Sequence, residues 1–434
     1  MTRTSPLLCF YADDFTGATD ALDALHVAGV DATLILDTSE ETVREFAGGD
    51  AIGLAGTSRA MSPEEMDVAL PEVYRWMRRT GAKICHYKVC STFDSSPKIG
   101  NIGHAIRIAE YYFDPGPMPV VVGTPRLGRY VAFGNLFAKS GGAAHAHRLD
   151  RHPVMSQHPI TPMHESDLAE VLGMQAAIDV TLTSIADMGA GRWPQHGSTV
   201  RSAHVFDTID IDDLKSVGSW INNEADKRTV FCVGSSGVET ALVECGALVS
   251  TSARHSERRL HKHNRMVVVS GSCSKTTSSQ IDVAVAAGFV PVLLDVDRLM
   301  LDPEIENAIA TTVRAASEAI ARGNDPIVYS AKGARTDTRR GDPTELESRI
   351  GECLGEILSE LLSIHQIDRV AIAGGDTSGR VTRALGAVAI KVAVHIAPGA
   401  PLCELYRPGR TPLLVALKGG QMGSDDYFIK VRDA

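Results

Sequence analysis

Nowhere in the 434 residues does an uninterrupted apolar run approach the roughly 18 needed to span a bilayer, and the N-terminus lacks a charged-then-apolar leader ending in small residues. These two absences point away from a helical membrane protein and give the expectation of a cytoplasmic chain. Cys-x-x-Cys is also missing. The eight cysteines are scattered, mostly inside apolar runs as reduced core thiols are, which supports neither a zinc ribbon nor a thioredoxin-like redox site. No Gly-x-Gly-x-x-Gly follows the first strand with an acid about 20 residues on, so the dinucleotide fingerprint of a dehydrogenase is absent. Excess positive charge is lacking as well. With 43 Lys and Arg against 53 Asp and Glu the formal charge is −10, which argues against a nucleic-acid or anionic-membrane binder and means that an anionic ligand needs a local basic cluster.

An apolar fraction of 44% and a charged fraction of 22% describe a globular chain, and its length exceeds the roughly 100–200 residues of one ordinary domain. Apolar, β-branched runs alternate with segments of helical period along nearly the whole sequence. The expected class is α/β, with two domains that each carry a mainly parallel sheet flanked by helices. Residues 251–265 are polar, basic and without apolar period, so they read as a linker between a domain at 1–250 and a second at 266–434.

The first apolar run, Leu7 to Tyr11, stops at two adjacent carboxylates, Asp13 and Asp14. Asp14 or Thr16 can cap the helix that follows, where Ala18, Ala21, Leu22, Leu25 and Ala28 recur at helical spacing. Strand, acidic turn, helix places both acids at the carboxyl edge of a sheet, where ligands bind in open α/β folds. Two neighbouring acids repel each other unless a cation, a donor-rich ligand or water attends them. Later strands deliver Arg59 after Gly56-Thr57-Ser58, and a polar loop that opens with Lys88 and includes Ser91, Thr92 and Asp94. Its lysines, hydroxyls and glycines suit an oxyanion. Residues 139–166 read as irregular and rich in His and Pro. The spacing of His145, His147, His152, His158 and His164 matches no standard ligand set, and metal ligands stay unassigned.

In the C-terminal half, Met266–Ser270 opens into Gly271-Ser272-Cys273-Ser274-Lys275-Thr276-Thr277, which ends like a P-loop but lacks its GxxxxGK spacing. The strand at Arg369–Ala373 runs into Gly374, Gly375, Asp376, Thr377, Ser378 and Gly379 at a helix start. Glycines permit close backbone approach there and the helix end offers free N–H groups, which makes this the best phosphate cradle in the chain. Two further glycine loops are read after strands, around Gly399 and around Gly419 and Gly420.

Acids and basic loops in one half and anion loops in the other are what a two-domain phosphotransferase requires. The stretches Ala12–Asp20, Tyr87–Ser95 and Gly374–Gly379, with Pro398–Pro401 and Lys418–Gly423, resemble the four-carbon acid sugar kinases. The resemblance implies an N-terminal acid-sugar-binding domain, a C-terminal ATP-binding domain, an active site in the cleft between them, and ATP- and Mg²⁺-dependent phosphorylation of a terminal O4 hydroxyl. It implies that Asp13 or Asp14 is the base, that Arg59 and Lys88 meet the substrate carboxylate, and that Thr16, Ser91, Thr92 and Asp94 line the sugar site. Ser272, Ser274, Gly374 to Gly379, Gly399, Gly419 and Gly420 would line the ATP site. Cys90-Ser91-Thr92-Phe93-Asp94-Ser95 is similar to the 3-oxo-tetronate branch, with D-threonate or D-erythronate kinase as the alternative and a non-catalytic sugar-acid or nucleotide sensor as a third reading. The partners implied are the sugar acid and ATP, a homo-oligomeric partner, and as metabolic neighbours a sugar-acid dehydrogenase and an isomerase or decarboxylase. Gly123-Thr124-Pro125-Arg126-Leu127-Gly128-Arg129 and the His-rich region depart from that branch.

Overall fold

A computed structural model describes residues 5–46, 48–140, 144–158, 160–249, 265–299, 302–333 and 343–434. The linker expected at 251–265 lies outside the described residues except for Arg265. Two compact units emerge. One holds the described residues up to Val249 apart from Leu34–Asp37, and the other holds Leu34–Asp37 with those from Arg265 onward.

The first unit is built on seven parallel strands in the order Ala51–Ala55, Leu8–Ala12, Ile84–Lys88, Val230–Gly234, Pro117–Val121, Ser202–Phe206 and Val180–Thr183. Leu-Cys-Phe-Tyr-Ala, Ile-Cys-His-Tyr-Lys and Val-Phe-Cys-Val-Gly are buried at every position. Strands covered on both faces by helices have no solvent side to mark with polar residues, hence their continuous apolar runs. Parallel neighbours need a crossover, and the helices Phe15–Val27 and Pro63–Arg79 supply two of them. Ser62 and Glu65 form a reciprocal capping box at the start of the second. Behind the sheet, Tyr74 meets Tyr87 and Phe231 edge-on, Phe113 stacks on Phe231, and the Tyr74 hydroxyl donates to the Ala105 carbonyl. An aromatic cluster of this kind buries large area, and both its hydroxyls are satisfied, that of Tyr87 by the Ser58 hydroxyl at 2.8 Å.

The segment expected to be irregular is in part regular. Arg129–Ala132, Asn135–Lys139 and Ala146–Arg148 form a three-stranded antiparallel sheet. Its strands are short and only half-buried, so their apolar alternation is weak. Among the described residues no group of three or more His, Cys, Asp or Glu is placed to hold a metal.

The second unit carries five parallel strands in the order Val290–Leu293, Pro326–Tyr329, Met266–Ser270, Arg369–Ala373 and Leu413–Lys418, continued by the antiparallel strands Ala400–Tyr406 and Ala389–Ala397. Its core joins Val268, Ile281, Phe289, Ile327 and Ala371 with Tyr427, Phe428 and Val431 of the last helix. Arg369 is buried there and donates to the Val431 and Arg432 carbonyls, closing that helix's C-terminus. Pro398 and Gly399 form the tight turn of the hairpin between Ala389–Ala397 and Ala400–Tyr406. The sequence placed a ligand loop there. None of the eight cysteines forms a disulfide, and among the described residues no helix is long and apolar enough to cross a membrane.

Candidate functional site

Five neighbouring strands of the first unit end at the same carboxyl edge, and each delivers a polar group. The ladder runs on past the strands. Gly56 donates to the Ala12 carbonyl, Asp13 to that of Lys88, Arg59 to that of Asp13, and Val89 to that of Gly234. This backbone frame sets the side chains against one another.

Asp14 is the N-cap of the first helix and accepts from the Gly17 N–H at 2.6 Å. A cap of this type stabilises the helix by about 1 kcal/mol. Its other oxygen accepts from Arg59 Nη1 at 2.6 Å, while Arg59 Nη2 and Nε donate to Asp13 at 2.8 and 3.1 Å. The cation that two adjacent acids demand is thus an arginine of the same unit. Asp13 is buried, and burial, outweighing Arg59 and reinforced by Asp14, pushes its carboxyl up to about 6. Gly17 lies beneath this cluster. A Cβ there would come within 2.6 Å of Asp14 Oδ1 and 3.3 Å of Lys88 Nζ, so only glycine lets the helix start approach so closely.

Lys88 is buried, donates to the Val89 carbonyl and lies 3.6 Å from Asp20 Oδ2. Asp20 also accepts from Arg126 at 2.9 Å, and Arg126 reaches Ser236 at 3.1 Å. Burial works to raise the Asp20 carboxyl, but Lys88 and Arg126 prevail and hold it below its ordinary value. Three acids and three bases therefore interlock at one edge. Arg126, with about a third of its side chain exposed, is the most accessible of the three cations. In the next loop Thr92 donates to Asp94, Cys90 contacts Thr92, and Phe93 adopts φ 56°. Gly100, from the same loop, packs on the Arg59 carbonyl.

The sequence-derived residues Asp13, Asp14, Arg59 and Lys88 are brought together, with Thr16 in the first turn behind them and Ser91, Thr92 and Asp94 in the loop that packs on Arg59. Arg59, expected to hold a ligand carboxylate, is already engaged by two carboxylates of the chain, and Lys88 is almost fully covered. Asp20, Arg126 and Ser236 were missed as site residues. Arg126 stood in a segment marked only as a departure, and its partners lie 106 and 110 positions away.

In the second unit, three adjacent parallel strands end in Ser270, Ala373 and Lys418. Ser274 caps the helix Lys275–Ala286 through the Thr277 N–H. Ser274 and Thr277 hydroxyls both donate to the Gly420 carbonyl. A Cβ on Gly420 would lie 2.6 Å from Ser272 Oγ, and one on Gly374, at φ 116°, would lie 2.9 Å from Thr377 Oγ1 and 3.4 Å from the Ser272 nitrogen. Ser272, Ser274, Gly374, Thr377 and Gly420 thus converge. In the same helix as Thr377, Ser378 Oγ is buried with no hydrogen-bond partner among the described residues. Closely approached glycine backbone and convergent hydroxyls fit a phosphate chain. Gly375, Gly379 and Ser378 lie within the helix Gly375–Ala384, Asp376 on its exposed side, and Gly419 follows Lys418. The register that sets Leu402 opposite Ala416 brings Ala400, next to Gly399, level with Lys418.

A family model for a sugar-binding N-terminal domain matches residues 8–242, and one for a nucleotide-binding C-terminal domain matches residues 267–428. The chain is 37% identical to a 3-oxo-isoapionate kinase of Paraburkholderia graminis, over 98% of its own length and 94% of that protein's. It is 30% identical to a 3-oxo-tetronate kinase of Methylobacterium radiotolerans, over 97% of each. A crystal structure of a Salmonella typhimurium LT2 protein superimposes with a TM-score of 0.77 at 26% identity, covering 98% of both chains.

Proposed function

The chain belongs to the four-carbon acid sugar kinase family, and on that premise we propose that it transfers the γ-phosphoryl group of ATP to the terminal O4 hydroxyl of a 3-oxo-tetronate. The domain division is taken as 1–250 for the sugar acid and 266–434 for ATP, joined by 251–265. The observation that carries the reading is Asp13, a buried carboxylate pushed up to about 6 and aimed by the Arg59 fork. A base of that strength is ionised at neutral pH yet basic enough to draw a proton from a hydroxyl as the new P–O bond forms. Asp14 shares Arg59 and fixes the helix start on which the base rests. Thr16, Ser91, Thr92 and Asp94 supply hydrogen bonds to the sugar hydroxyls.

Arg59 is spoken for, so the substrate carboxylate falls to Arg126, with Lys88 adding charge from below. A guanidinium held on one edge by Asp20 and Ser236 keeps its remaining donors for a second carboxylate. Gly374, Gly420, Ser272 and Ser274 line the phosphates, with Gly375 to Gly379, Gly399 and Gly419 completing the wall. Mg²⁺ would be bound chiefly through the phosphate oxygens of the nucleotide, as this ion commonly is, and would there neutralise charge on the transferred phosphoryl group.

A second reading, 3-oxo-isoapionate as the acceptor, is favoured by the 37% identity to the kinase of that name. Both acceptors are 3-oxo acids by name, so a dehydrogenase must supply the substrate and an isomerase or decarboxylase consumes the product, in the cytoplasm. The test is ADP release with Mg²⁺ and ATP against both 3-oxo acids, D- and L-threonate and D- and L-erythronate. Turnover with 3-oxo-tetronate bears out the first reading and preference for 3-oxo-isoapionate the second. Preference for threonate or erythronate overturns both, and ATP binding without turnover on any acid would mean a sensor.

A further inference from the structure

Lys418, the last residue of the Leu413–Lys418 strand, is almost completely buried. Its ammonium nitrogen reaches the Thr277 hydroxyl at 2.9 Å and the Gly420 carbonyl at 3.4 Å. Among the described residues no carboxylate lies within ion-pair distance of it, unlike Lys88, which has Asp20. Both contacts of Lys418 belong to the convergence of Ser272, Ser274 and Gly420 described above, and Gly374 donates its N–H to the Lys418 carbonyl. A buried amine with only neutral partners pays the full cost of desolvation when charged, and an anion brought beside it removes that cost.

The charged and titratable groups on the elements packed around Lys418 are exposed or engaged with other partners. Lys275 and Asp376 are exposed at the starts of their helices, and Asp282 pairs with Lys332. Glu404 accepts from Tyr406, Arg369 binds carbonyls of the last helix, and the Tyr427 hydroxyl donates to Ala400. Desolvation alone acts on Lys418 and brings its ammonium down to about 7.

We propose that Lys418 is the charge-bearing residue of the nucleotide site and that it gains a proton when the phosphates of ATP or ADP bind beside Ser272, Gly374 and Gly420. This rests on the kinase reading and adds to it a linked protonation. The amine takes one proton from solvent, becomes an ammonium, and neutralises one phosphate charge. A lysine that merely tied down the Gly420 loop would hold the same proton with and without nucleotide.

The experiment is titration calorimetry of the full chain with MgADP at pH 8, in buffers of differing ionisation enthalpy, with adenosine as the phosphate-free control. At that pH the free lysine is largely neutral, and MgADP has no phosphate proton to release. The expected result is uptake of close to one proton per MgADP and none with adenosine. Lys418→Met should abolish the uptake and weaken MgADP binding by about tenfold or more, the scale of a lost charge-assisted hydrogen bond. Lys418→Arg, charged throughout, should bind MgADP without uptake. Binding whose enthalpy is independent of buffer, or uptake that persists in Lys418→Met, overturns the proposal and leaves the kinase reading standing. Failure of the unaltered protein to bind MgADP overturns both.

Discussion

Arg59 grips Asp13 with two donors of one guanidinium and reaches Asp14 with a third. One cation therefore serves two acids, of which one is buried and the other caps a helix. Neither acid is compensated alone, and the arrangement leaves Asp13 strained toward its protonated form, as a general base is.

Asp13→Asn keeps the shape and removes the proposed base. Turnover should fall by about 10²- to 10⁴-fold with MgATP affinity unchanged, read by steady-state kinetics and calorimetry. Its melting temperature at pH 7.5 should not fall, because the native carboxylate is ionised there at a cost. Asp14→Asn should also lose most turnover while retaining the helix cap, since asparagine caps as well as aspartate, whereas Asp14→Ala should in addition lose about 1 kcal/mol of stability in denaturant unfolding.

The pH profile carries a sign. The Asp13 carboxyl is raised from its ordinary value to about 6, so it is ionised and competent above that pH and protonated below it. The kcat/KM for the sugar acid should fall about tenfold per pH unit below 6. Arg59→Gln removes the charge that lowers Asp13 and should move this limb to higher pH. As a stability term the same shift runs the other way. Between the unfolded carboxylate value and 6 the native state holds a proton that the unfolded state has lost, so Asp13's contribution declines as pH rises through that window.

Arg126→Met should raise KM for the sugar acid about tenfold or more and leave KM for ATP alone, because its partners Asp20 and Ser236 belong to the first unit. Equal kinetics in the variant would return the carboxylate to Arg59 and Lys88.

Gly374→Ala places a methyl group 2.9 Å from Thr377 Oγ1 in a backbone region closed to alanine. It should raise KM for ATP and lower stability by about 1 kcal/mol or more, with KM for the acid unaffected. An unchanged ATP dependence would remove Gly374 from the cradle.

The strand-to-helix turn at Asp13 and Asp14 was legible because local chemistry decides it. An apolar run ends, a cap follows, and the helical period begins within one turn. The strand-to-helix turn at Gly374 was legible on the same grounds. What could not be read was pairing across distance. That Arg59 would be consumed by the acid pair, that Arg126 would join Asp20, and that Lys418 would be buried without an acid all depend on which strands become neighbours in the sheet. That the loop at Pro398 and Gly399 is the turn of an antiparallel hairpin depends on the same pairing, and the strands Arg129–Ala132, Asn135–Lys139 and Ala146–Arg148 were too short and too exposed to show a period.

The Arg59 fork has a consequence for how such a protein can change. Removing the arginine leaves two like charges face to face, one of them buried, so a change at position 59 is tolerated best when position 13 or 14 changes with it. Positions 13, 14 and 59, spread over 46 residues of chain, form one heritable unit. Drift at any of them must be answered at another, and a descendant that abandons the chemistry would be expected to shed the arginine and the acids together.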